Sequence, residues 1–235
     1  MFPGATAAAT PDKPAVVMAS TGQVVTHREL DDRSNQVARL WREHGLVPGD
    51  HVAVFMENHP RYLEVVWAAL RSGLYVTTVN SYLSAAELAY ILSDSGARSV
   101  VASPARADVL REALNDAPGV ELPLVTDGGA GTMGDYEKAL AAQPTTPLDD
   151  QPAGEFMLYS SGTTGRPKGI KRPLRGAPVQ DGQGAVGGVD ETRAAHAVLT
   201  GEDGGHLGAV PLRHGGEDDG LGWHVEPHGK GLRGE

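Results

Sequence analysis

From Tyr159 to Gly169 the chain reads Tyr-Ser-Ser-Gly-Thr-Thr-Gly-Arg-Pro-Lys-Gly, and no other stretch concentrates as much potential chemistry. Ser160, Ser161, Thr163 and Thr164 carry hydroxyls, Gly162 and Gly165 leave the backbone bare of Cβ atoms, and Lys168 supplies a cation. Backbone N–H groups and hydroxyls leaving a strand end together can converge on a polyanion, because no Cβ blocks the approach. Lys168 can then neutralise phosphate charge. The stretch has the parts of a phosphate cradle. It is not the P-loop of kinases and GTPases, which needs Lys directly after Gly and a hydroxyl directly after Lys. Here Pro167 precedes and Gly169 follows Lys168. The plainer alternative, a flexible Ser/Thr/Gly linker, fits poorly with the strand-like flank Glu155-Phe156-Met157-Leu158-Tyr159.

The elements that would position this loop follow from periodicity. Ala15 to Met18 and Val24-Val25, separated by Thr21-Gly22, predict a hairpin. Thr26 with Glu29 forms a capping box, and Leu30, Ser34, Val37, Ala38 and Trp41 recur at helical spacing as far as Gly45, so a helix is predicted over about 27–44. A buried strand at 52–56 follows. Next come a helix opening near Pro60 with Leu63, Val66, Trp67 and Leu70 on one face, a strand at 75–79, and a helix capped by Ser84 and Glu87. Strands at 99–102 and 120–125, a helix over 104–115 between them, and the strand at 155–159 complete the alternation. Wholly apolar strands alternating with helices predict the α/β class, a mostly parallel sheet with helices on both faces. In such a sheet ligands sit beyond the carboxyl ends of the strands, where the 160–169 loop is expected.

The order of residues from Tyr159 to Gly169 resembles the signature loop of the adenylate-forming superfamily, which comprises acyl-CoA synthetases, adenylation domains of peptide synthetases and luciferases. Fragments upstream resemble the same superfamily: Pro11 to Ala15, Arg28-Glu29-Leu30 with Arg33-Ser34-Asn35, Gly49 to Ala53, Glu57-Asn58, Trp67-Ala68-Ala69, Gly73-Leu74-Tyr75, Val79-Asn80 and Asp94 to Ala97. Their order and spacing are most similar to bacterial fatty-acyl-CoA synthetases of the AMP-forming type. The resemblance implies an ATP-dependent, Mg²⁺-dependent ligase that converts a fatty or related carboxylic acid to an acyl-adenylate and then to a thioester with CoA. It also implies that Ser160, Ser161, Gly162, Thr163, Thr164, Gly165 and Lys168 hold the β- and γ-phosphates of ATP, a positioning and electrostatic role.

The resemblance covers residues 1–175, read as a partial AMP-binding domain, and fades after Arg172-Pro173-Leu174-Arg175. The superfamily's later motifs, for adenine and magnesium, for ribose, and for the catalytic lysine of a small C-terminal domain, have no counterpart here. No catalytic residue is therefore identified, and the chain alone is expected to be inactive. Residues 176–235 contain sixteen glycines and no Ser, Asn, Ile, Phe, Tyr or Met. Such a segment has little apolar surface to offset the entropy of ordering, so a disordered tail is expected. Gly, Ala, Val, Asp, His and Arg are also what GC-rich coding DNA yields out of frame, and the expectation is a frameshifted or truncated synthetase. The rival reading is a non-catalytic remnant that at most binds nucleotide phosphates.

The remaining signals are weaker. A formal charge of -10 argues against a general nucleic-acid binder, which needs Lys and Arg against phosphates. No stretch approaches the roughly 18 to 20 apolar residues of a membrane span, and Met1-Phe2-Pro3-Gly4 lacks the features of a signal peptide, so a cytoplasmic location is expected. Cysteine is absent, excluding disulfides and thiolate metal sites. Gly129 to Gly134 matches G-x-G-x-x-G, but the helix after it is short and the next strand ends in serines rather than an acidic residue, so a loop is expected. His206, His214, His224 and His228 are expected to be solvated, with no metal site, since Pro227 would interrupt a helix there. Arg166, Lys168, Lys171, Arg172 and Arg175 form the densest basic cluster, and Trp41 and Trp67 are expected in the core.

Overall fold

The computed structural model describes residues 2–160 and 166–181, and beyond them the backbone of three short strands at 200–201, 205–206 and 223–225. After a short helix α1 (Pro3–Ala9), strands β1 (Pro14–Met18) and β2 (Val24–Thr26) pair antiparallel as the predicted hairpin. Thr26 then starts helix α2 (His27–Glu43). Its hydroxyl accepts from the Glu29 N–H at 3.2 Å, and the Glu29 carboxylate accepts from the Thr26 N–H at 2.7 Å, so two orphan donors of the first turn are satisfied.

From there strand and helix alternate: β3 (His51–Phe55), α3 (Tyr62–Arg71), β4 (Tyr75–Thr78), α4 (Ala85–Ser95), β5 (Ala97–Ala102), α5 (Ala107–Ala113) and β6 (Leu122–Val125). A two-residue strand β7 (Gly134–Asp135) leads into α6 (Tyr136–Ala141), and β8 (Glu155–Ser160) and β9 (Lys168–Lys171) close the series. The seven strands lie in the order β7-β6-β5-β3-β4-β8-β9. Every neighbouring pair is parallel except β8 and β9. Successive residues of a strand point to opposite faces, and here both faces are covered. Val52, Val54, Val101 and Leu124 pack with α2, α3 and α6 in one core cluster. Ala53, Phe55, Val100, Ala102 and Val125 pack with α4 and α5 in the other. The α/β class with helices on both faces is thus realised.

Two close fits tie the layers together. Trp41 is fully buried, and its indole N–H donates to the Ser99 hydroxyl at 3.0 Å, which in turn donates to the Leu122 carbonyl at 2.9 Å, linking α2 to β5 and β6. Gly154, just before β8, donates its N–H to the Leu70 carbonyl at 2.7 Å. A Cβ there would lie 2.7 Å from the Ala69 carbonyl oxygen and closer still to that of Leu74, so only glycine admits β8 to its place beside β4.

Two expectations change in detail, and a third holds. The segment 104–115 is not one helix: 3₁₀ turns at Pro104–Arg106 and Leu114–Asp116 flank α5, tightening both ends around it. The Gly129–Gly134 stretch is a loop, as expected, up to Gly134, which begins β7; a bridge between Ala130 and Met133 closes it, with Met133 buried in the core. The chain past 175 stays attached to the body through Asp181. Ala177 accepts from the Ala153 N–H and Val179 donates to the Gln151 carbonyl, both at 2.8 Å, and the Val179 side chain is buried. Further on, strands Thr200–Gly201 (β10) and Gly205–His206 (β11) pair with each other, and β12 (Trp223–Val225) lies parallel to β1, with Val16 opposite Trp223. The rest of the expected disordered tail lies outside the described residues.

Candidate functional site

The motif that opened the sequence reading is a hairpin tip. β8 pairs with β4 only at Tyr75–Glu155 and Val76–Phe156 and then continues beside β9, with Leu158 opposite Ile170, Tyr159 opposite Gly169 and Ser160 opposite Lys168. Ser160 and Lys168 therefore mark the two sides of the connection, and both are exposed. Residues facing each other across an antiparallel pair share one face of the ladder, so the hydroxyl and the ammonium project together. Ser161, Gly162, Thr163, Thr164 and Gly165, which join them, lie outside the described residues. Among the described residues no carboxylate lies within ion-pair distance of Lys168. The same face carries Leu158 and Ile170, exposed at 39% and 60%.

The opposite face explains the glycine after the lysine. Tyr159 folds its ring across Gly169, and a Cβ at Gly169 would lie 3.1 Å from the Tyr159 ring and would also collide with Met157. The Tyr159 hydroxyl donates to Asp94 of α4 at 2.6 Å. Burial, reinforced by that carboxylate, pushes the Tyr159 phenol well above its ordinary pKa, so it keeps its proton. One helical turn earlier, the Tyr90 hydroxyl donates to the Pro167 carbonyl at 2.9 Å, and the Arg166 guanidinium lies 5.2 Å above the Tyr90 ring. Tyr90 was not identified as a site residue from the sequence, and Asp94 entered only within the Asp94 to Ala97 fragment. The available signal is a polar pair at i, i+4 on a helix whose neighbouring positions, Leu88, Ala89, Ile91 and Leu92, are buried and apolar.

The basic cluster separates by partner. Arg166 sits on Tyr90, while Lys171 sits 4.9 Å from the Tyr75 ring centre and 3.4 Å from His51 Nε2. His51 stacks on Tyr75 at 4.7 Å; burial first, and then the Lys171 charge, lower its pKa. The Tyr75 hydroxyl donates to the Arg172 carbonyl at 2.8 Å. Trp41 is core as expected, and Trp67 packs half-buried between clusters, edge-on to Phe2. Among the described residues no group of three His, Asp or Glu could hold a metal ion. The side chains of His206, His214, His224 and His228 lie outside the described residues. No described helix is long and apolar enough to cross a membrane.

At the carboxyl end of the sheet, Glu57 after β3 accepts from the fully buried Ser103 hydroxyl at 2.7 Å and pairs with Arg106 at 3.4 Å. The hydrogen bond and the ion pair together link the ends of β3 and β5.

With this geometry in place, similarity to known proteins becomes decisive. The profile of the family described as AMP-binding enzyme matches residues 4–212. The chain belongs to that family. The match runs past Arg175, where the motif-based resemblance stops. The 3-oxocholest-4-en-26-oate–CoA ligase of Rhodococcus rhodochrous is 31% identical over 163 residues, 66% of this chain and 29% of the relative. The fatty acid–[acyl-carrier-protein] ligase ScoC of Streptomyces coeruleorubidus is 30% identical over 202 residues, 85% of this chain and 38% of the relative. Among solved structures, the inhibitor-bound N-terminal domain of FACL13 from Mycobacterium tuberculosis superposes with a TM-score of 0.63 at 26% identity, over 72% of this chain and 42% of that one. The chain thus spans about a third of the length of these curated relatives. The family includes the CoA and acyl-carrier-protein ligases just named.

Proposed function

We propose that this chain supplies the ATP-phosphate-binding part of an acyl-CoA synthetase, with the β- and γ-phosphates held by Ser160, Ser161, Gly162, Thr163, Thr164, Gly165 and Lys168. The observation that carries the reading is the register that sets Ser160 against Lys168 at the mouth of a connection rich in hydroxyls and glycines. A carboxylate oxygen of the acid attacks the α-phosphorus of ATP, the bond to the bridging oxygen breaks, and pyrophosphate leaves with the electron pair. The CoA thiolate then attacks the acyl carbonyl carbon, and AMP departs. Donors around the β- and γ-phosphates stabilise charge building on the departing pyrophosphate, which is a gain made in the transition state. Mg²⁺ would enter with the nucleotide as part of the substrate and would supply further neutralisation of phosphate charge.

The acid is a fatty or related carboxylic acid. Support comes from the fatty acid named for ScoC, while the steroid acid named for the Rhodococcus ligase marks how far the acid varies among relatives. ATP and CoA are cytoplasmic solutes, which supports a cytoplasmic location. Because the chain spans about a third of the length of these relatives, nucleotide binding is the step to test on it. Equilibrium binding tests the reading. Mg-ATP and pyrophosphate should compete for the 235-residue chain while AMP competes far more weakly. Lys168→Ala should weaken both polyphosphates roughly ten- to hundredfold, the worth of one charge-assisted contact. AMP competing as well as pyrophosphate, or no effect of Lys168→Ala, would defeat it.

A further inference from the structure

We infer that Tyr90 and Asp94 of α4 are positioning residues that clamp β8 and the stem leading into β9, and so set the spacing of Ser160 and Lys168; this rests on the phosphate reading of those two residues. The two residues stand at i and i+4, one above the other on a single helix face. Asp94 takes the incoming stem through the Tyr159 hydroxyl at 2.6 Å, and Tyr90 takes the outgoing stem through the Pro167 carbonyl at 2.9 Å. Pro167 and Lys168 share that peptide unit, so the Tyr90 contact fixes the plane from which the Lys168 side chain departs. The stacking of Arg166 on Tyr90 holds the residue before it as well.

Asp94 is not placed for the good of its own helix. Asp94 lies in the last turn of α4, a turn without a basic residue, where a carboxylate opposes the helix dipole. A local cost of that kind is retained where a tertiary contact offsets it. The hairpin needs such an anchor, because β8 leaves β4 after two pairs and all of β9 is exposed. Without α4 its outer half would be a two-stranded ribbon, which is marginal in water. Tyr159 stays protonated and therefore donates to Asp94 throughout the neutral range.

The test uses the 235-residue chain with Tyr90→Phe, Asp94→Ala and Asp94→Asn, the last retaining an oxygen acceptor for Tyr159. Three readouts are taken: amide exchange over residues 168–171, the dissociation constant for pyrophosphate, and the melting temperature. The expected result is exchange faster by roughly three- to tenfold in Tyr90→Phe and Asp94→Ala, pyrophosphate weakened by a similar factor, a nearly unchanged melting temperature, and Asp94→Asn close to the parent. Faster exchange with unchanged pyrophosphate affinity would show contacts that are merely structural and would overturn the inference. Unchanged exchange would show that the stems are held by something else and would overturn it too. If the parent chain binds no pyrophosphate, the phosphate reading fails, and faster exchange in the variants would then show a stem clamp without the positioning role, again overturning the inference as stated.

Discussion

Glu64 offers the sharpest energetic test of the fold that carries the loop. Its carboxylate is fully buried between α2, α3 and α6, accepting from Arg33 Nε at 2.7 Å, Arg61 Nη1 at 3.0 Å and the Tyr136 hydroxyl at 3.2 Å. Burial works against the Arg33 charge, yet Glu64 beside it more than offsets this and holds the guanidinium above its ordinary pKa. Burial, then the Glu64 charge, raises the Tyr136 phenol, which stays a donor. Glu64→Gln keeps the shape, removes the charge and turns one acceptor into a donor facing a guanidinium. Removing one partner of a buried pair costs about 3–5 kcal/mol. Both arginine side chains are 22% exposed and keep Glu137 at 3.7 and 3.5 Å, so the lower end applies, about 3 kcal/mol. For a chain of this size that corresponds to a melting temperature lower by about 6–12 °C. Glu137→Gln is the control: 31% exposed and without a hydrogen bond to either guanidinium, it should cost about 1 kcal/mol or less. Urea titration followed by tryptophan fluorescence measures both. A cost for Glu64→Gln below about 1 kcal/mol, or equal to that of Glu137→Gln, would refute the argument that this carboxylate pins three helices together.

Two further outcomes follow from the same structure. Gly154→Ala should destabilise by about 3 kcal/mol, the upper range for overpacking, because the new methyl meets backbone carbonyl oxygens of Ala69 and Leu74 that cannot rotate away; a urea midpoint within error of the parent would contradict it. Stability should also fall on mild acidification. His27 and His51 both have folded pKa values lowered by burial, with help from Lys13 and Lys171 respectively, from an ordinary 6.5. The unfolded chain therefore binds protons first, so the stability is intact above pH 6.5 and is lost as pH falls from there through the folded values. Urea midpoints at neutral and acidic pH, with His51→Gln flattening the slope, check the sign; a rise in stability on acidification would reverse it.

How much of this was legible in the sequence depends on whether a residue's role is local. Helix α2 could be read because its capping box and its apolar stripe, Leu30 to Trp41, are properties of one segment. β3 read as wholly apolar because helices cover both its faces, so alternation has nothing polar to show. β9 was not legible: Lys168-Gly169-Ile170-Lys171 is exposed throughout, has no apolar period, and is a strand only because β8 supplies its hydrogen bonds. Helix α1, with glycine in its first turn, gave no periodic signal and is held by packing on α2. In the site, the residue types that suit a polyanion were evident, but the roles of Tyr90 and Asp94 depend on partners more than sixty residues away in sequence.

The central claim is that the 160–168 connection acts on the triphosphate and not on the later thioester step. The direct measurement compares the two half-reactions in a full-length ligase built on residues 1–175 of this chain, with and without Lys168→Ala. Carboxylate-dependent ATP–pyrophosphate exchange should fall roughly ten- to hundredfold, the worth of one charge-assisted phosphate contact, while thioester formation from supplied acyl-adenylate stays near the parent rate because pyrophosphate has already left. An equal loss in both half-reactions, or a large drop in melting temperature, would mean that Lys168 is structural and that the loop does not hold the phosphates.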